Sequence, residues 1–220
     1  MALQLAPTLL DSFDWLTKCP TSWRDRAYND MKNTLGRVYG STTPEMQAGI
    51  DFENLVYRLS ASNDYANIVA NWKDSKHLLY CVQRVHDFIY QKTVFYNITV
   101  DGVAYFFKCK MDAWSPTEII DIKTTSNFRG DSQYLTKWQH RLYPLASGVH
   151  KFTYLVAEWE DLARSKKIQD IHEVKYSIDT QEEVKVVTDQ VTARIREFID
   201  FINYDEELKR LYYTKYNKVQ

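Results

Sequence analysis

The chain has few of the residues that mark fibrous, disulfide-rich or membrane proteins. Its 220 residues include only 6 glycines and 5 prolines, which excludes a collagen-like repeat and leaves little room for long disordered linkers. The 3 cysteines (Cys19, Cys81 and Cys109) are far apart and form no CxxC pair, so a disulfide scaffold, an iron–sulfur cluster and a structural zinc site are disfavoured. No apolar run approaches the roughly 18 residues of a membrane-spanning helix.

Neither sign of charge dominates the sequence. The 28 basic and 29 acidic residues give a net charge of -1, which gives no support to nucleic-acid binding but does not exclude it, because acidic metal ligands can cancel a local basic groove. The first residues, MALQLAPTLLDSF, show neither the basic region nor the A-x-A site of a signal peptide. We therefore expect a cytoplasmic protein that does not contact a membrane.

What the sequence does contain is aromatic residues, at 15% of the chain, most of them expected in a core. Its pattern of elements predicts a mixed α/β domain over 1–220. Residues 1–90 are predicted to be mostly helical, 91–179 to form the sheet core, and 180–220 to form a C-terminal helix and tail. A T-x-x-E capping box, formed by Thr180 and Glu183, opens that last helix.

Three helices are predicted in the N-terminal part. The first begins at Thr43-Pro44, runs to about Ser60 and offers a set of apolar side chains for burial, namely Met46, Ile50, Leu55, Val56 and Leu59. The other two cover 64–72 and 78–89.

A hairpin opens the predicted sheet. Segments 91–100 and 103–112 are rich in β-branched and aromatic residues and flank Asp101-Gly102, a strong hairpin signal. Segment 118–125 predicts the third strand of an antiparallel meander. A helix is predicted after Gly130, and Pro144 and Gly148 are predicted to end it. Two further strands, over 150–159 and 171–179, are predicted before the C-terminal helix.

The third predicted strand carries charges that a buried strand should not carry. Asp121 and Lys123 are two residues apart, so they face the same side of the sheet, opposite Ile120 and Ile122. A buried carboxylate and a buried ammonium are costly unless they are paired or bound to a metal. A structural ion pair is the simpler interpretation of this D-x-K pattern taken alone.

Two further acids extend the pattern. Asp112 ends the preceding strand, and a short hairpin would bring it beside Asp121, where two carboxylates and a lysine suit a Mg²⁺ site. Glu53 lies one helical turn from Gly49, and close packing of that helix on the sheet would explain a glycine within a helix. The alternatives are solvated carboxylates at a turn and a surface glutamate.

Four motifs occur in the order found in one nuclease superfamily: GIDFE (49–53), CKMD (109–112), EIIDIKTTSNF (118–128) and QHRLY (139–143). On these motifs the chain resembles the PD-(D/E)XK nucleases, and more narrowly the phage-type exonucleases of the exodeoxyribonuclease VIII and RecB-nuclease kind. The resemblance implies a restriction-endonuclease-like mixed sheet flanked by helices. It also implies a Mg²⁺- or Mn²⁺-dependent exonuclease of phage or prophage recombination or repair, in a bacterial or phage-infected cell.

The resemblance also implies residue roles. Asp112, Asp121 and Glu53 correspond to the metal-binding acids, with the backbone carbonyl of Ile122 as a further ligand, and Lys123 corresponds to the catalytic lysine.

The remaining expectations concern DNA contacts. Gln139 and Tyr143 correspond to the Q-x-x-x-Y motif that contacts DNA, the alternatives being a surface amide and a core tyrosine. Five hydroxyl or cationic side chains suit phosphate contacts, namely Thr124, Thr125, Ser126, Arg129 and Lys137. The alternative is that they are polar surface residues without a common role.

Rival functions follow from the same residues. An endonuclease on the same fold and a non-catalytic nucleic-acid-binding or interaction module remain the alternatives to an exonuclease. We expect DNA as the partner, with a recombination protein and a second copy of the chain as further candidates. Since the sequence has no Walker A motif, no use of ATP is expected.

Overall fold

A six-stranded mixed β-sheet with helices on both faces is the centre of the fold. It is seen in a computed structural model, which describes residues 2–216 except 39, 63–65, 67–69, 71–74, 163 and 166. The strands are β1 (Leu3–Leu5), β2 (Ile89–Val100), β3 (Val103–Trp114), β4 (Ile119–Thr125), β5 (Lys151–Trp159) and β6 (Ile168–Ser177). The helices are α1 (Pro7–Lys18), α2 (Arg24–Gly36), α3 (Pro44–Ser62), α4 (Ser75–Arg84), α5 (Ser132–Leu135), α6 (Gln139–Ser147), α7 (Gln181–Tyr204) and α8 (Glu206–Tyr216).

The predicted antiparallel meander is confirmed. Strands β2 and β3 pair from Ile89↔Trp114 to Val100↔Val103, with an interruption at Gln91. In the turn between them Asp101 has φ 50° and Gly102 has φ 80°, as a tight hairpin turn with two left-handed residues requires. Strand β4 pairs with β3 at Ala113↔Ile120 and Trp114↔Ile119. Since the recorded pairing between these strands stops there, β3 and β4 separate at the next residues, Asp112 and Asp121.

The other strands complete the sheet. Strand β5 runs parallel to β4 along its whole length, and β6 is antiparallel to β5. The short β1 pairs in parallel with β3 at Leu3↔Tyr105 to Leu5↔Phe107. The predicted fold class, a mixed sheet flanked by helices, is therefore the one observed.

Two hydrophobic cores cover the two faces of the sheet. Ile119 belongs to the first core, with side chains from α1, α2, α6, α7 and α8. Ile120 and Ile122 belong to the second core, with side chains from α3 and α4. This alternation along β4 confirms the predicted faces and places Asp121 on the side of the first core.

Helix α3 buries Val56 and Leu59 as predicted, but two other residues of the predicted apolar set are exposed. Phe52, Val56 and Leu59 are buried at spacings of four and three residues, whereas Met46 and Ile50 are 59% and 47% exposed. Ile50 precedes Phe52 by two residues, which is about 200° around a helix, so it points away from the sheet. The prediction of burial for Met46 and Ile50 was therefore wrong.

Other element predictions need correction. Pro144 lies inside α6 and does not end it, and the predicted continuous helix after Gly130 is two helices, α5 and α6. Helix α4 ends at Arg84, earlier than predicted, because Asp87 adopts a left-handed conformation (φ 66°) and β2 begins at Ile89. The helix predicted over 64–72 lies almost entirely outside the described residues.

The remaining differences concern the two ends of the chain. Strand β1 and helix α8 were absent from the prediction. The capping box at the start of α7 is present as predicted, with both of its hydrogen bonds formed between Thr180 and Glu183. Among the described residues, none of the helices is long and apolar enough to cross a membrane.

Candidate active site

Asp112 lies at the point where β3 and β4 separate. Its Oδ2 accepts a hydrogen bond from the backbone N–H of Ile122 at 3.0 Å, so the carboxylate takes the place of the missing strand pairing. Burial raises the pKa of Asp112 well above its usual value, and the nearby charges of Asp121 and Glu53 raise it further. An excess of negative charge is therefore concentrated here.

Asp121 and Lys123 lie next to this position on β4. The Asp121 side chain is 1% exposed, and its Oδ2 forms an ion pair with the Lys123 ammonium. Burial acts to lower the pKa of Lys123, but the carboxylates of Asp121, Asp112 and Glu53 outweigh burial and raise it. The charged form of Lys123 is therefore favoured by carboxylates that lie on two different strands and a helix.

Helix α6 approaches Asp121 from the side of the first core. The amide Nε2 of Gln139 lies 3.2 Å from Asp121 Oδ1 and donates to it. The same nitrogen lies 3.2 Å from the hydroxyl of Tyr143, four residues later, and donates to it. Gln139 thus orients the buried carboxylate, whereas Tyr143 is buried in the first core with its hydroxyl directed to Gln139.

Glu53 approaches from the opposite face of the sheet, on α3. Its Oε1 accepts two hydrogen bonds, from the Tyr57 hydroxyl at 2.8 Å and from Gln91 Nε2 at 2.6 Å. Burial raises the pKa of Tyr57, and the charges of Asp112 and Glu53 raise it further, so this phenol keeps its proton. Sequence reasoning did not single out Tyr57 or Gln91.

Helix α3 lies very close to the sheet where Gly49 faces it. A Cβ atom at Gly49 would lie 2.8 Å from Oγ1 of Thr124, which is shorter than such contacts are in proteins. The glycine therefore allows the backbone of α3 to approach β4, and Glu53 is one turn further along the helix. This is the close packing that the glycine suggested in the sequence.

The predicted phosphate-contacting residues lie at the end of β4 and between β4 and α6. Ser126, Arg129 and Lys137 are exposed, and Thr124 and Thr125 are partly exposed. Among the described residues, no side-chain hydrogen bond joins any of these five residues to another of them. Their role in contacting DNA stays a prediction.

A cluster that the sequence reasoning missed holds the segment after β4 in place. Glu158 Oε1 accepts a hydrogen bond from the Phe128 backbone N–H at 3.1 Å, and its Oε2 pairs with His172 Nε2 at 2.8 Å. The Phe128 and His172 rings are parallel, with centroids 3.8 Å apart, and Tyr134 stacks near Phe128. Strands β5 and β6 thereby anchor the exposed residues on either side of Phe128.

The acidic side chains fit a hard divalent cation. Within the described residues, no three His, Cys, Asp or Glu side chains converge into a ready-made metal site. Mg²⁺, however, is usually bound through one or two carboxylates together with water and substrate phosphates. Asp112 and Asp121 supply two hard oxygen ligands whose mutual repulsion a cation would relieve, and Glu53 is a third carboxylate whose charge acts on Asp112.

Comparison with known proteins identifies the fold. No protein-family model matches the chain, and no curated protein matches it. Among solved structures, it is similar to an alkaline exonuclease from Laribacter hongkongensis, with 13% identity and a TM-score of 0.51 over 94% of this chain and 92% of that one. The chain shares the fold of that exonuclease. At this identity the similarity establishes the fold alone.

Two other solved structures are similar at lower scores. The same Laribacter exonuclease in complex with dAMP gives a TM-score of 0.48 at 12% identity, covering 91% of this chain and 90% of that one. A phage-related exonuclease from Haemophilus somnus gives 0.47 at 12% identity, covering 93% and 97%.

Proposed function

We propose that this chain is a Mg²⁺- or Mn²⁺-dependent deoxyribonuclease that acts as an exonuclease. The observation that carries the proposal is the convergence of Asp112, Asp121 and Lys123 where β3 and β4 separate, with Gln139 holding Asp121. A buried acid pair beside a charged lysine suits phosphodiester hydrolysis. The fold shared with a known exonuclease supports the same reaction.

Each residue would have a definite task. Asp112, Asp121 and the Ile122 carbonyl would hold the cation, and Glu53 would complete its ligands. When bound, the cation would polarise a phosphoryl oxygen and lower the pKa of a coordinated water. Lys123 would position the attacking water or stabilise the charge that develops on the phosphate. Gln139 would keep Asp121 in the orientation that binding requires.

The remaining parts of the proposal concern the substrate and its setting. Ser126 and Arg129, held near the site by the Phe128 cluster, would contact the DNA backbone together with Thr124, Thr125 and Lys137. The proposed setting is phage or prophage recombination or repair in the cytoplasm, with a recombination protein and a second copy of the chain as candidate partners. These points rest on the motif resemblance.

The test is degradation of end-labelled linear duplex DNA with Mn²⁺, beside EDTA and closed-circular controls. We expect metal-dependent loss of the linear DNA alone, and a loss of activity of at least about 100-fold in both Asp121→Ala and Lys123→Ala. Matched control variants are Asp189→Ala and Lys185→Ala, at exposed positions on α7. Thermal unfolding would verify that all four variants are folded.

The other outcomes separate the alternatives. Cleavage of the closed circle would establish an endonuclease, because an exonuclease requires an end. Wild-type activity in either site variant would contradict the proposed chemistry. A folded wild-type protein that cleaves neither DNA would favour a nucleic-acid-binding module.

A further inference from the structure

Strand β2 departs from regular geometry at one residue beside the candidate active site. Gln91 has φ 54°, a left-handed conformation that is unfavourable for a residue with a long side chain. Its neighbours Tyr90 and Lys92 keep their pairing, with Ala113 and Met111 respectively, so Gln91 lies across from Asp112. Such local strain persists only where the surroundings enforce it, and it is concentrated at functional sites.

The left-handed residue changes which way two successive side chains point. In a regular strand, Tyr90 and Gln91 would face opposite sides of the sheet. Here both contact α3: the Tyr90 hydroxyl donates to Ser60 Oγ at 2.5 Å, and Gln91 Nε2 donates to Glu53 Oε1 at 2.6 Å. The conformation of Gln91 therefore directs its amide to the carboxylate of Glu53.

Tyr57 supplies the second contact to the same oxygen. Its hydroxyl donates to Glu53 Oε1 at 2.8 Å and lies 3.4 Å from Gln91 Nε2, which donates to it. Its ring packs on Tyr90 with centroids 4.5 Å apart, which restricts the phenol to one position. Within the part of the chain that the structure describes, both side-chain hydrogen bonds to Glu53 use Oε1, which leaves Oε2 as the oxygen for another ligand.

We infer that Gln91 and Tyr57 are positioning residues that hold Glu53 as the third acid of the metal site. This inference rests on the proposed function and deepens it, because it assigns a task to a strained residue that the proposed reaction leaves unexplained. Two donors on one oxygen restrain the rotation of the Glu53 carboxylate. Because the side chain is already ordered before a cation binds, binding would cost less conformational entropy.

The test measures Mn²⁺ binding without DNA, by calorimetric titration and by the increase in Tm that Mn²⁺ produces. We expect Glu53→Gln, Gln91→Leu and Tyr57→Phe each to weaken Mn²⁺ binding by about 10-fold or more. The double variant Glu53→Gln with Gln91→Leu should be no weaker than Glu53→Gln, because Gln91 acts through Glu53. The matched control is Tyr204→Phe, which also removes one tyrosine hydroxyl, but from a residue that is 92% exposed.

The variant Gln91→Gly distinguishes the effect of losing the side-chain amide from the effect of backbone strain, because it removes both the amide and the strain. Glycine adopts a positive φ readily, so this variant should unfold at a higher temperature than Gln91→Leu while binding Mn²⁺ equally weakly. It also provides a folded protein if the strained Leu variant fails to fold.

The outcomes distinguish this inference from the function on which it rests. Mn²⁺ binding by wild type that Asp121→Ala abolishes would support the metal site. If Gln91→Gly and Tyr57→Phe then bind as tightly as wild type, the positioning role is overturned while the nuclease proposal stands. If wild type itself does not bind Mn²⁺, both fail together.

Discussion

At the scale of single residues, Asp11 is an acid whose ionisation opposes folding. Asp11, on α1, is partly buried, and its Oδ1 accepts a hydrogen bond from the Trp138 backbone N–H at 3.0 Å. Burial raises the pKa of Asp11 to about 6, although Lys137 and that hydrogen bond act in the other direction. Its folded-state pKa is therefore higher than in the unfolded chain.

Asp11→Asn should remove the pH dependence that this difference produces. Between about pH 4 and 6 the folded protein binds the proton more tightly, so wild-type stability falls as pH rises through this window. Asparagine keeps the acceptor for Trp138 and carries no charge, so above pH 6 we expect a gain on the order of 1–2 kcal/mol. Urea unfolding at several pH values would measure it, with exposed Asp189→Asn as the control. An unchanged pH profile would refute this explanation.

Gly49 provides a second prediction at this scale. In most helices Gly→Ala is stabilising by about 1 kcal/mol, but a Cβ here would lie 2.8 Å from Thr124 Oγ1. Gly49→Ala should therefore destabilise the protein, and adding Thr124→Ala should restore the stability because it removes the hydroxyl oxygen. A double-mutant cycle by chemical denaturation measures the coupling, which we expect to be about 1–2 kcal/mol. Additive effects would mean that α3 does not pack on β4 at this point.

At the scale of elements, the predictable features had local signals. The β2–β3 hairpin follows from alternating segments around Asp101-Gly102, and helix α7 follows from its capping box. Asp112 and Asp121 could be placed together because they flank one short connection between neighbouring strands. Tyr57 and Gln91 could not be predicted, because a contact between a helix and a distant strand, and a left-handed glutamine, leave no pattern in the sequence.

The Phe128 cluster supports another prediction about an element. Phe128→Ala removes the ring that stacks on His172 at 3.8 Å but leaves the backbone bond to Glu158. Hydrogen exchange at 126–131 should become faster while the core strands keep their protection, since the segment loses its largest contact. Phe128→Tyr keeps the stacking surface and should exchange as wild type does. Equal protection in Phe128→Ala would show that the ring does not anchor this segment.

At the scale of the whole molecule, the two ends of the described chain close the first core. Tyr212 on α8 is fully buried, and its hydroxyl donates to the Gln4 carbonyl on β1 at 3.2 Å. Tyr216 donates to the Thr34 carbonyl on α2 at 3.0 Å. Strand β1 and helix α8 were both missed from the sequence because a three-residue strand and a short helix are stabilised by these distant contacts rather than by local propensity.

This closure predicts that α8 unfolds together with the sheet. Tyr212→Ala should destabilise the entire fold by about 3–5 kcal/mol, because it leaves a large cavity between α7, α8 and β1. Tyr212→Phe, which loses only the hydrogen bond to Gln4, should cost about 1 kcal/mol. Circular dichroism and tyrosine fluorescence should report one shared unfolding transition for wild type and both variants. If α8 instead melted separately at low urea, with the sheet unaffected, the terminal helix would be an appendage, and its buried tyrosines would contribute nothing to the stability of the sheet that carries Asp112 and Asp121.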